Sequence, residues 1–84
     1  MLGVFALGAC SSKAPYEGKS VAELERMLHD SDPAVQTQGA FGLSRLGPEA
    51  RSALPALEKL GRDPDHLVRK AAQEALKNIR RGSG

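Results

Sequence analysis

At 84 residues the chain supports one small domain, and its 40% hydrophobic and 26% charged content is globular rather than disordered. Three aromatic residues, Phe5, Tyr16 and Phe41, with a net charge of +2, argue against a single-strand stacking platform and imply no nucleic-acid partner. Cys10, His29 and His66 are too few and too scattered for a zinc site, and one cysteine forms no internal disulfide.

The chain opens on an uncharged apolar run, MLGVFALGA, over residues 1–9. Spanning a bilayer takes about 20 residues, whereas the apolar part of a secretory signal is commonly about 7–15. The lone Cys10 comes next, and Leu7-Gly8-Ala9-Cys10 resembles the lipobox of bacterial lipoproteins. That resemblance implies a lipid carried on the Cys10 thiol as a thioether, and a protein anchored in the bacterial cell envelope facing the periplasm. Ser11, where Asp would signal retention, implies the outer membrane. Residues 10–19, polar and turn-prone, then read as a flexible tether. No basic residue precedes Lys13, which departs from the usual signal. Two other readings stay open: a terminal helix with Cys10 buried as a small hydrophobe, or a reactive thiol.

From Ser20 the apolar spacing becomes helical. Ser20 with Glu23 three residues on is a capping box, and Val21, Leu24, Met27 and Leu28 lie beyond it on one side. Asp32 caps a second helix with Pro33 at its first position. That helix carries Val35, Gly39, Gly42, Leu43 and Leu46, and Gly47 stops it. Pro55 predicts a looser turn over residues 48–52 and a regular helix from near Leu54, bearing Leu54, Leu57 and Leu60 and ending at Gly61. Asp63 and Asp65 cap the last helix, with Val68, Ala72, Ala75, Leu76 and Ile79 on one stripe. It is expected to end near Arg81, leaving residues 82–84 as a frayed tail. No segment alternates like a strand, so the fold class is all-α.

The second and fourth helices match at a shift of 33, Asp30 meeting Asp63, Val35 meeting Val68 and Leu43 meeting Leu76. A period of this length with two helices per unit is the mark of an α-solenoid. The run Asp63-Pro-Asp-His-Leu-Val-Arg-Lys-Ala-Ala-Gln-Glu-Ala-Leu, preceded by Gly47-Pro-Glu-Ala and Leu54-Pro-Ala-Leu, resembles HEAT repeats, in particular the short variety named after phycobilisome lyases. The resemblance implies a short α-solenoid of about two HEAT-like hairpins, four helices, over residues 20–81. It also implies that Arg69 reaches toward an Asp of an adjacent turn. Gln36 and the glycines Gly39 and Gly42 depart from the pattern, and the glycines reflect either drift or tight helix packing, or a partner's backbone pressed against them.

No nucleophile, phosphate-loop or paired-carboxylate motif is present, and His29 and His66 read as surface residues. The expected function is a non-catalytic protein–protein interaction module held at a membrane, with no cofactor, metal, nucleic acid or small-molecule substrate. Two alternatives are a structural subunit of a larger membrane-associated complex and a cytoplasmic adaptor. A stack of about two repeats leaves both ends apolar, so docking on a partner or on itself is expected. The expected surface is Leu54, Leu57 and Leu60, with Lys70, Lys77 and Arg80 at its rim.

Overall fold

The computed structural model describes residues 16–83. The signal-like run 1–9, Cys10 and the first part of the expected tether lie outside the described residues. Four α-helices succeed one another: α1 (Val21–Leu28), α2 (Pro33–Leu46), α3 (Leu54–Leu60) and α4 (His66–Ser83). A 3₁₀ segment, Gly47–Ala53, connects α2 to α3 where the looser turn was predicted. α4 continues through Ser83, past the expected end at Arg81.

Local chemistry explains the boundaries. Ser20 Oγ accepts the Glu23 N–H at 3.2 Å, and the Glu23 carboxylate accepts the Ser20 N–H at 2.8 Å. That backbone donor, helped by the Ser20 hydroxyl and by Lys19 and Arg26, holds the Glu23 carboxyl below its ordinary value. A depressed carboxyl stabilises the fold above the ordinary glutamate value, and the contribution is lost as pH falls through the lower folded value. An NMR titration of Glu23 is therefore expected to give a midpoint below that of an unfolded peptide. A midpoint at or above it contradicts the capping box.

The two helices matched in sequence begin with the same pair of turns. Asp30 Oδ1 accepts the Asp32 N–H at 2.8 Å, and Asp63 Oδ1 accepts the Asp65 N–H at 2.8 Å. Asp32 then caps α2 through the Ala34 N–H at 2.9 Å, and Asp65 caps α4 through the Leu67 and Val68 N–H groups. Arg69 reaches the Asp63 turn before its helix, and it does so through the main chain, donating to the Asp63 carbonyl at 3.0 Å. The Asp63 carboxylate is already engaged by Asp65. Gly47 ends α2 with φ +65° and ψ −133°, a conformation that side chains resist.

The helices form two layers. α2 and α4 lie side by side in the most extensive helix–helix contact, α1 packs on α2, and α3 with the 3₁₀ segment packs on α4. Leu24, Leu28, Leu43, Leu57, Val68 and Ile79 are the largest fully buried side chains. Gly39 and Gly42 let α1 and α2 approach closely. A Cβ on Gly39 would stand 2.9 Å from the Leu24 carbonyl oxygen, and one on Gly42 would stand 2.8 Å from Tyr16 Cβ. Both glycines are thus used within the chain, not by a partner. Tyr16 is half-buried against the core, and Arg45 lies over its ring at 5.9 Å. This end of the expected tether is docked, not loose.

Candidate docking groove

Along the seam between α2 and α4 runs a groove of about 340 Å³. Thr37 and Phe41 line it from α2, and His66, Leu67, Lys70, Ala71 and Glu74 line it from α4. Among the described residues, Phe41 and Leu67 are the large apolar side chains left exposed, at 41% and 67%. They fall together because each lies off its helix's buried stripe. Phe41 sits between Gly39 and Gly42, which face α1, and so points away from that contact. Leu67 is in the first turn of α4.

The groove's walls are held in place. The Asp65 carboxylate accepts the Leu67 N–H at 3.0 Å, and Thr37 Oγ1 donates to the Pro33 carbonyl at 2.9 Å. Further along the seam, Asn78 Nδ2 donates to Ser44 Oγ at 2.6 Å and ties α4 to α2. A mainly apolar trough edged by His66, Lys70 and Glu74 can receive an aliphatic or aromatic side chain from another protein. Glu74 pairs with Lys77 at 3.6 Å, an exposed pair of small energetic worth.

The expected partner surface is divided by the fold. Leu57 is fully buried in the core, so it is not offered to a partner. Leu54 and Leu60 are half-buried and pack against that core. Lys70 belongs to the groove, while Arg80 bonds Glu58 across the outer end of α3 and α4. That outer end is not the open apolar face expected. Val68, Ala71, Ala72 and Ile79 are all buried. Around the half-buried Leu76 stand Gln73, which donates to the Gly61 carbonyl at 3.0 Å, and the Glu58–Arg80 pair. Ser20, Asp32, Asp63 and Asp65 are occupied in holding helix starts and turns.

Phe41 and Leu67 escape a reading of the sequence because the apolar stripe points inward. The available signal was an aromatic residue off the stripe in a chain with few aromatics. Among the described residues there is no group of three or more metal-ligating side chains, and no described helix is long and apolar enough to cross a membrane.

Two matched hairpins with paired Asp turns define the repeat, and a family model described as HEAT repeats matches residues 3–77. The chain belongs to the HEAT-repeat family. No curated protein and no solved structure matches it. HEAT repeats in general mediate protein–protein contact and are typically not enzymes. In this HEAT-repeat chain the groove is formed by the second helices of two successive repeats, so it exists only because the repeats stack.

Proposed function

We propose that this HEAT-repeat chain is a non-catalytic protein-binding module that docks a partner in the α2–α4 groove. The observation that carries it is the joint exposure of Phe41 and Leu67 on braced walls, where a small domain gains nothing by leaving them in water. A partner segment with an aliphatic or aromatic anchor and an acidic group near Lys70 fits the lining.

The test compares wild type with Phe41→Ser/Leu67→Ser by quantitative capture from extracts of the native host. Exposed substitutions usually change stability by no more than about 0.5 kcal/mol each, so the variant is expected to melt near wild type. It is also expected to lose one specific protein that wild type retains. Equal capture by both forms contradicts the groove.

A membrane-anchored bacterial lipoprotein is the second reading, supported by Leu7-Gly8-Ala9-Cys10 and its polar continuation. The family match counts for the competing reading, since it runs through residues 3–19 instead of starting at the α1 cap. The narrower likeness to phycobilisome-lyase repeats is supported by the Gly47-Pro48-Glu49-Ala50 and Asp63-Pro64-Asp65 turns.

A further inference from the structure

Charge is divided unevenly between the two layers. α2 and α4 together carry Arg45, Arg69, Lys70, Lys77, Arg80 and Arg81 against a single carboxylate, Glu74. The other nine of the chain's ten acidic residues stand in α1, α3 and the connecting segments. Hydrogen bonding sorts the cations of α4 further. Arg69 donates to the Asp63 carbonyl and Arg80 bonds Glu58, so both are engaged away from the groove. Lys70, Lys77 and Arg81 are exposed, and with Glu74 they fall within about 60° of arc on the helix.

That ridge borders the groove. Lys70 and Glu74 line both the groove and a further recess of about 230 Å³ that continues to Gln73 and Lys77. His66 closes the near end beside Arg69 and adds no negative charge. On the opposite wall Thr37, Phe41 and Ser44 are all uncharged. The trough is therefore uncharged along α2 and basic along α4, over about 21 Å from Leu67 to Arg81 at 1.5 Å per residue. Glu74 offsets one of the three cations, and its exposed pair with Lys77 is weak enough to be exchanged for another carboxylate.

We infer that the groove's occupant is an acidic amphipathic helix of another protein, with its apolar stripe between Phe41 and Leu67 and a flank of carboxylates along Lys70, Lys77 and Arg81. This rests on the reading of the groove as a docking site. A trough between two helices suits a helix, whose own backbone is satisfied, and no strand among the described residues offers an edge to an extended peptide. Charge selects this occupant over two others. A second copy would bring the same basic edge, and its α1, which holds Glu23 and Glu25, keeps Leu24 and Leu28 buried. An anionic membrane would satisfy the cations, but it is broad and flat where Phe41 and Leu67 flank a recess. Carboxylates facing this edge would also orient the helix, since only one of the two walls is charged.

The test uses the full chain and three labelled synthetic helices of about 14 residues, the length of the trough. All three share one stripe of leucines and differ only in flanking residues, which are Glu, Gln or Lys. By fluorescence anisotropy the Glu helix is expected to bind about tenfold or more tighter than the Gln helix, and the Lys helix more weakly still. Its advantage should vanish between about 0.1 and 1 M salt, where the screening length falls from roughly 10 to 3 Å. Lys70→Glu/Lys77→Glu is expected to remove that advantage, and Lys59→Glu/Arg62→Glu, an equal charge change at exposed positions on and after α3, to keep it. Equal binding of the Glu and Gln helices, lost in Phe41→Ser/Leu67→Ser, overturns the acidic partner and leaves the groove standing. Glu-helix binding that survives Phe41→Ser/Leu67→Ser overturns both. No binding of the Glu helix, or equal binding of the Lys helix, overturns the inference. So does attachment to phosphatidylglycerol vesicles that Lys70→Glu/Lys77→Glu abolishes, or a dimer that Phe41→Ser/Leu67→Ser dissolves.

Discussion

Leu57→Ala is expected to remove about 2–5 kcal/mol of stability, the usual cost of truncating a fully buried leucine. A core of this size supplies roughly 3–5 kcal/mol in all, so the variant should be partly unfolded before denaturant is added. Leu43→Ala should behave alike, because Leu43 is equally enclosed at the seam of the two repeats. Leu76 holds the matching position in the second repeat, and sequence alone gives it the same weight. Its surroundings differ, however. It is half-buried in an open cleft of about 310 Å³ shared with Glu58, Gln73 and Arg80, so its truncation exposes little new void. The expected cost is about 1–2 kcal/mol, less than that of a fully buried side chain. Urea midpoints ordering Leu57→Ala and Leu43→Ala well below Leu76→Ala support this core, and three equal midpoints contradict it.

The second large effect runs against helix propensity. Alanine is worth about 1 kcal/mol more than glycine inside a helix, so Gly39→Ala would stabilise an isolated α2. In the folded chain it is expected to destabilise by about 1–3 kcal/mol, the range for overpacking a filled contact. The new methyl would meet the Leu24 carbonyl oxygen and Met27 Cβ, both at 2.9 Å, and neither is the free end of a flexible side chain. α1 must therefore move as a body. Thermal unfolding gives the sign directly, and a raised midpoint would mean that α1 and α2 are less closely packed.

The two repeats differ at this contact. Position 28 of the first repeat corresponds to position 61 of the second, Leu28 to Gly61, while Gly39 corresponds to Ala72. In the first repeat the bulk sits on α1 and the gap on α2. In the second, Gly61 leaves the gap on the α3 side, and Leu76 Cδ1 would stand 3.6 Å from a Cβ placed there.

What was legible in the sequence was local. Caps at Ser20, Asp32 and Asp65, the stop at Gly47 and the break before Pro55 depend on residues within one turn, and their hydrogen bonds fall where the residue types require. The HEAT register was legible because it repeats. Exposure was not, since it depends on which neighbour covers a residue. Leu54, Leu57 and Leu60 have the same spacing to the eye, yet only Leu57 is fully enclosed. Glu58 and Arg80 are distant in sequence, and their pairing closes an end that composition alone left open. The groove was hidden for the same reason, since Phe41 and Leu67 belong to different helices and to neither stripe.

The most direct measurement places a photoreactive amino acid at position 67, where the wild-type side chain is 67% exposed, and irradiates cells of the native host. A control carries the same group at the exposed Arg26, on α1. The expected result is a discrete protein adduct from position 67 that is absent from position 26 and is lost when Phe41→Ser is added. Adducts formed equally from both positions, or from position 26 alone, would contradict docking in the α2–α4 groove.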